Sequence, residues 1–526
     1  MKIANKVRPF PILLTVVFLS QLGFIEAKSN SPVNQQDTTV ILSTSINGVH
    51  SFKATDGIST YTFKYKGKIK VADDDRSIES ISSGGYLMIK KTTFGNTRSI
   101  IIENDSRGDI SYEYLEGRKE IPFEPEGKKW LEDVLLDVIR MTGIDAEGRA
   151  GRIYAKNGTK GVLYEIDEIR SNHVKGIYFK VLLAKGELSD EELINIALEI
   201  ANSISSNSER GSIYRQFGDR FLVNDNVASA YFKGISKLSS NSERGSILRR
   251  AVKRHELSDQ QIVQLLYVAS KMSSNSEKGS VLRSIDYLNF DNPGMTESYF
   301  GTISTISSSS ETGSVLRHLI NNQDLEDEEL IVLFENLKKV SSSSEKGSVL
   351  RTMDDIRLTN KEVILGYFGV VNTISSSSEK GHVLRNLLNT RSQNKASLIA
   401  IFITAKNINS NSEKGSVLRT SIQWLGEQDE KVMGAFFNAL NTIESSAEHG
   451  SVLRHLIDAM DPEVSTQLNI IKSTVLISSN SEKASVLVKL ADKADLDNET
   501  VKEAFVSAAR TITSDSEFRR VMMKVL

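Results

Sequence analysis

The chain has 526 residues, with 65 Lys and Arg against 67 Asp and Glu, a formal net charge of −2 and no cysteine. That length can bury a large core in more than one domain. The balanced charge gives no overall attraction to nucleic acid or to an anionic membrane surface, and the missing thiols exclude disulfides, thiolate metal sites and a cysteine nucleophile.

Residues 1–9 carry Lys2, Lys6 and Arg8, residues 11–19 form a mostly apolar run with Ile12, Leu13, Leu14, Val16, Val17 and Phe18, and Ile25-Glu26-Ala27 ends in a small residue. These are the three parts of a secretory signal peptide, assigned to residues 1–27. Retention as an anchor is the competing reading, against which the run is shorter than the ~20 residues of a membrane span. No transmembrane span is expected after cleavage. An exported protein without cysteine suits a bacterial envelope, so the expected location is the periplasm or the medium. Residues 28–37 are polar and read as a linker.

Over residues 38–125 the period is two. Tyr61, Phe63 and Tyr65 alternate with Thr60, Thr62 and Lys64; further strands are signalled at Ile69 and Val71, Tyr86 to Ile89, Ser99 to Ile102 and Ile110 to Tyr114. Lys66-Gly67, Ser83-Gly84-Gly85, Phe94-Gly95-Asn96 and Ser106-Arg107-Gly108 supply the turns. The pattern predicts a small antiparallel β-domain of meandering strands, closed by Pro122 and Pro125. Residues 126–189 read as a helical connector with atypical capping repeats. Trp130, Leu131, Val134, Leu135, Val138 and Ile139 lie at helical spacing, and Lys175-Gly176-Ile177-Tyr178-Phe179-Lys180 parallels Arg210-Gly211-Ser212-Ile213-Tyr214-Arg215.

Residues 190–526 are organised by one returning stretch, seen at its plainest in Ser274-Asn275-Ser276-Glu277-Lys278-Gly279-Ser280-Val281-Leu282-Arg283. Its Glu recurs as Glu209, Glu243, Glu277, Glu311, Glu345, Glu379, Glu413, Glu448, Glu482 and Glu517, 34 residues apart and twice 35. A fixed period of this size marks a stacked repeat array. Three residues ahead of each Glu stands a Ser: Ser206, Ser240, Ser274, Ser308, Ser342, Ser376, Ser410, Ser445, Ser479 and Ser514. Ser-x-x-Glu is a capping box, in which the Ser side chain accepts from the first turn and the Glu side chain reaches back to the Ser N–H. Counting from Glu as zero, positions +4, +5 and +8 are apolar, as in Val281, Leu282 and Ile285. A second stripe at −12, −11, −8 and −5, as in Tyr299, Phe300, Ile303 and Ile306, predicts a preceding helix. Each unit is a two-helix hairpin whose apolar side can be buried only by its neighbours. The predicted fold is therefore mainly α: an α-solenoid of about ten helical hairpins behind a β-domain. Such a hairpin array resembles the α-solenoids of the HEAT-like class. The period equals that of tetratricopeptide repeats, but their Trp/Gly/Tyr/Ala/Pro pattern is missing. The resemblance implies an architecture and transfers no functional residues.

Two positions within the repeat ask for an explanation. Position +2 is Gly in eight copies, which helix propensity disfavours and which implies close approach of a neighbouring helix. Position +6 is Arg in eight copies: Arg215, Arg249, Arg283, Arg317, Arg351, Arg385, Arg419 and Arg454. These face about 120° away from their own Glu. Regular recurrence favours a structural ladder to carbonyls or carboxylates of the next unit over a groove for anions. No catalytic residue, cofactor-binding residue or metal ligand emerges. His449 and His455 are six apart on different faces, His255-Glu256 lacks the second zinc-protease histidine, and no phosphate loop or nucleophile elbow is present. Asp73-Asp74-Asp75 reads as a solvated acidic turn better than as a calcium loop. The expected role is a non-enzymatic scaffold that holds a protein or peptide in the cell envelope, without nucleic acid. The alternatives are a regulatory envelope protein whose β-domain docks a partner while the solenoid transmits, and, last, a hydrolase with dispersed carboxylates.

Overall fold

The structure, a computed structural model, describes residues 40–525 except 56, 106–107, 354–355, 357, 391–392 and 427–429. The signal peptide and linker lie outside the described residues. The chain divides into two compact units, one ending at Phe221 and the other starting at Leu222.

In the N-terminal unit nine strands follow one another: β1 (Val40–Ile46), β2 (Val49–Thr55), β3 (Ser59–Lys66), β4 (Ile69–Val71), β5 (Ile78–Ile81), β6 (Tyr86–Thr93), β7 (Asn96–Asn104), β8 (Ile110–Glu116) and β9 (Lys119–Ile121). Seven form an antiparallel sheet in the order β1-β2-β3-β6-β7-β8-β9, and β4 pairs with β5 apart from it. Asn47-Gly48 and Phe94-Gly95 turn two of the hairpins with positive φ at both residues, the geometry that matches strand twist. One sheet face carries Phe63, Leu87, Ile89, Ile100, Ile102 and Tyr114. It packs on Trp130, Leu131, Val134, Leu135, Val138 and Ile139 of α1 (Lys128–Thr142) in a single buried cluster. The period-two and period-3.6 stripes of the sequence thus meet in one core.

Helix α2 (Ala146–Glu168) is broken at Gly158, whose φ of 63° and ψ of −161° are non-helical. That break falls between Gly151-Arg152-Ile153-Tyr154 and Lys160-Gly161-Val162-Leu163, two short relatives of the repeat motif. α3 (Asn172–Leu183), α4 (Asp190–Ser203), α5 (Asn207–Gln216) and the turn α6 (Gly218–Phe221) complete the unit. The first hairpin of the predicted solenoid, α4 with α5, therefore groups with this unit.

Within the unit a buried polar cluster ties the β4–β5 turn to α1 and α2. Arg149 contacts Asp75 at 2.7 Å, Glu165 at 2.6 Å and the Tyr178 hydroxyl at 2.8 Å. Arg140 reaches Glu165 at 2.7 Å, and Arg152 bridges Asp145 at 2.9 Å and Asp73 at 3.3 Å. The acidic turn is thus solvated, as expected, at Asp73 and Asp74 and anchored at Asp75 by Arg149; a buried guanidinium needs such a partner.

Among its described residues the C-terminal unit has nine hairpins. They pair α7 (Asp225–Ser236) with α8 (Asn241–Arg254), α9 (Asp259–Ser270) with α10 (Asn275–Leu282), and α11 (Pro293–Ser304) with α12 (Ser309–Asn322). Next come α13 (Asp327–Lys338) with α14 (Ser343–Thr352), α15 (Lys361–Asn372) with α16 (Ser377–Thr390), and α17 (Lys395–Lys406) with α18 (Asn411–Ser421). α19 (Glu430–Leu440) with α20 (Ser446–Ala459), α21 (Val464–Val475) with α22 (Asn480–Ala491), and α23 (Glu499–Ala509) with α24 (Asp515–Met522) follow. Odd-numbered helices pack on odd and even on even, giving two layers. The stripes of both helices are buried between the layers, Tyr299, Phe300, Ile303, Val281 and Leu282 among them. Edge-on rings link successive hairpins, as Phe334 with Tyr367 at 5.9 Å and Phe402 with Phe436 at 5.5 Å.

Candidate functional site

Each motif serine stands at the N-cap of its helix. Ser206, Ser240, Ser274, Ser308, Ser342, Ser376 and Ser410 accept from the backbone N–H of Glu209, Glu243, Glu277, Glu311, Glu345, Glu379 and Glu413 at 3.2–3.3 Å. The second half of the capping box forms elsewhere, at Ser189 with Glu192 and Ser258 with Gln261. From Glu277 to Glu482 the glutamate side chain of each motif helix leaves its own cap and reaches the preceding hairpin. It lies on the Gly at +2 of that hairpin, where any β-carbon would collide with the carboxylate, and takes a hydrogen bond from the Arg at +6.

The resulting ladder has seven Arg–Glu rungs among the described residues of the C-terminal unit. Arg249 meets Glu277 at 2.6 Å, Arg283 Glu311 at 2.5 Å, Arg317 Glu345 at 2.9 Å, Arg385 Glu413 at 2.6 Å, Arg419 Glu448 at 2.8 Å and Arg454 Glu482 at 2.7 Å. Arg351 and Glu379 form the seventh. Lys180 with Glu209 at 3.0 Å, over Gly176, repeats the arrangement inside the N-terminal unit. There burial works against the charged Glu209, but hydrogen bonds from His173 and Lys180 outweigh it and hold its carboxyl below the ordinary value. Arg215 lies on α5 and Glu243 on α8, in different units. Every rung sets one charge against its opposite, so the row offers no net attraction for an anion.

Two further ladders were not read from the sequence. The residue after the N-cap bonds the segment just before the next N-cap, as Asn241 with Ser273 and Asn275 with Ser307. The residue at +1 spans to the C-terminal end of the next hairpin's first helix. Lys278 Nζ donates to the Thr305 carbonyl at 2.8 Å, Lys414 Nζ to the Thr442 carbonyl at 3.2 Å and Lys483 Nζ to the Thr511 carbonyl at 3.4 Å; Lys346 Nζ reaches the Thr373 hydroxyl at 2.8 Å. A cation there meets the negative end of the helix dipole. Burial nevertheless pushes the ammonium groups of Lys278, Lys346, Lys380, Lys414 and Lys483 below their ordinary 10.5. His449 takes the same position, with Nε2 2.8 Å from the Ser473 hydroxyl, and burial lowers it as well. Only the recurrence of a basic residue at +1 hinted at this.

The regular array is interrupted around α10 and α11. Helix α10 has eight residues where α8 and α12 have fourteen. The chain then leaves the helix, and a loop runs to Asn292, the N-cap of α11. Three contacts organise that loop. Phe290 stacks on Phe300 with centroids 6.2 Å apart. The Gln323 side-chain nitrogen donates to the Asp286 carbonyl at 2.8 Å, and its oxygen accepts from the Leu288 N–H. Asn289 donates to Asp259 at 2.8 Å.

Beside the loop opens a cleft of about 1110 Å³, bounded by the loop, α11 and one side of α13 along its length. Its floor includes Gly301, which has open space where a side chain would stand. Asp286, Asp291, Glu297, Asp324, Glu326 and Glu328 line it and are exposed, against Lys339 as the cation of the lining. Tyr287, 71% exposed, stands at the rim. The excess of carboxylates suits a cationic ligand. Among the described residues no group of three His, Asp or Glu is placed to hold a metal ion, and no helix is long and apolar enough to cross a membrane.

No protein-family model matches the chain, and no curated protein matches it. Among solved structures, the crystal structure of an engineered protein is similar over 75% of this chain and 95% of its own, at 14% identity and a TM-score of 0.21. A likeness that loose carries no argument, and the repeat architecture stands on the hairpins and ladders themselves.

Proposed function

We propose that this chain is a non-enzymatic, exported repeat protein of HEAT-like kind that holds a basic polypeptide segment in the bacterial envelope. The observation that carries the reading is the acidic cleft beside α11, where the repeat breaks and six exposed carboxylates face a single cation. Repeat arrays use surfaces shared by several units for binding, and a departure from the repeat distinguishes one such place from the rest. The signal-peptide pattern of residues 1–27 supports export. Binding should be carried by the cleft's charge, with Tyr287 offering a ring at its edge. Fluorescence anisotropy with labelled cationic peptides tests this. The wild-type chain should bind them in a salt-sensitive way, because exposed charges are screened within about 8 Å at physiological ionic strength. The triple variant Asp286→Lys, Asp291→Lys, Glu297→Lys should lose roughly tenfold or more in affinity. Equal binding by wild type and triple variant would overturn the proposal.

A further inference from the structure

Below the cleft lies a second cavity of about 180 Å³, lined by Thr312, Val340 and Ser341 among others, and contiguous with the cleft through Ser304, Asn336 and Lys339, which line both. Its place in the fold is informative. Thr312 is the +1 residue of α12, the position filled by Arg244, Lys278, Lys346, Lys380, Lys414, His449 and Lys483 in the other hairpins from α8 to α22. Lys339 is the C-terminal cap residue of α13, the equivalent of Thr305 and Thr373, toward which Lys278 and Lys346 extend their ammonium groups. The cavity is therefore the space that a lysine side chain occupies elsewhere in the stack, left open by a shorter residue. Asn336, only 8% exposed, adds a second acceptor. Its side-chain nitrogen donates to the Val332 carbonyl at 3.0 Å, so the amide atom left to receive a donor is the oxygen.

We propose that this cavity is a socket for the alkylammonium group of a lysine in the polypeptide bound by the cleft. The inference rests on the proposed peptide-binding function and names the side chain that it selects. The incoming ammonium takes the place of the missing rung at the C-terminal end of α13, where the helix dipole favours a cation. The carboxylates of the cleft draw it in against the single like charge of Lys339. Where Arg244 fills the same position its guanidinium reaches the Lys271 carbonyl only at 3.4 Å, against 2.8 Å from the Lys278 ammonium to the Thr305 carbonyl; the compact ammonium makes the closer contact, so lysine should be preferred to arginine at equal net charge.

The test uses the full chain with fluorescein-labelled hexalysine and hexaarginine. Wild type should bind hexalysine about tenfold more tightly, the effect of one buried charge-assisted hydrogen bond. Thr312→Lys rebuilds the internal rung. It should raise the melting temperature and bring hexalysine affinity down to that of hexaarginine, leaving the latter unchanged. Asn336→Ala should reduce the lysine preference without that gain in stability. Equal affinity of wild type for the two peptides, a preference that survives Thr312→Lys, or a lower melting temperature in that variant would overturn the socket while leaving the cleft intact as a basic-peptide site. Displacement of hexalysine by equimolar 1,5-diaminopentane would overturn its assignment to a peptide side chain. Absence of binding by both peptides would instead overturn the cleft reading on which the socket depends.

Discussion

A glycine in a helix interior costs about 1 kcal/mol relative to alanine, yet the motif helices keep one at +2. The reason is a carboxylate from the next hairpin lying on the glycine, where it meets the arginine four residues further on. The chain contains its own control. Where Gly becomes Ala484, Arg becomes Val488, and the following Glu517 turns to Arg520 in its own helix at 3.0 Å. Gly279→Ala should therefore destabilise by about 1 kcal/mol despite the better helix propensity, because the added methyl group overpacks against the Glu311 side chain, a cost of about 1–3 kcal/mol, as well as displacing it from Arg283. In a Glu311→Ala background the same change should stabilise by up to about 1 kcal/mol; a double-mutant cycle in urea measures the reversal. Conversely, Val488→Arg should gain little alone and stabilise only together with Ala484→Gly, as thermal melts of the three variants would read. Each rung contributes modestly, since its members remain about a quarter exposed and exposed pairs contribute roughly 0–1 kcal/mol.

The hairpin was the element most legible in the sequence. Ser-x-x-Glu marked each second helix, and the two apolar stripes gave the faces, because caps and stripes are local and obey the spacing of one helix. Ser342→Ala should accordingly cost about 1 kcal/mol, measurable as a lower urea midpoint at an unchanged slope. The other half of the capping box was misassigned for the same reason. Spacing inside one helix shows which residues can meet there, whereas Glu277 finds Arg249, 28 positions back, only once two copies are stacked. The break at Gly158 was likewise hidden, since a single glycine in a helical pattern signals a kink no more strongly than a tolerated residue. The cleft was invisible: it depends on α10 stopping early, and the apolar Ile285 and Leu288 continued the helical pattern past that point.

At the scale of the whole molecule, the N-terminal unit carries an acid-sensitive element in Glu165. In the N-terminal unit burial would raise the Glu165 carboxyl, but hydrogen bonds from Arg140 and Arg149 outweigh it and hold it below its ordinary 4.5. Its folded value lies under its unfolded one, so its contribution to stability is complete above 4.5 and is lost as pH falls through the folded value. In the full chain carrying Trp424→Phe, Trp130 reports this unit by fluorescence. Glu165→Gln should lower its stability at pH 7 by about 3 kcal/mol, since Arg149 keeps its charge in a buried place, and should flatten the decline below pH 4.5. In the C-terminal unit the stretched 35-residue interval between Glu413 and Glu448 leaves the Arg419–Glu448 rung closed at 2.8 Å, so the extra residue is absorbed outside the motif. Because each rung joins a donor from one copy to an acceptor from the next, unequal crossing-over between two copies would yield offspring chains one period longer or shorter whose junctions still match. The copy bearing Thr312 is the exception: losing it would erase the socket while sparing the stack, so specificity in such a lineage would be more fragile than foldability.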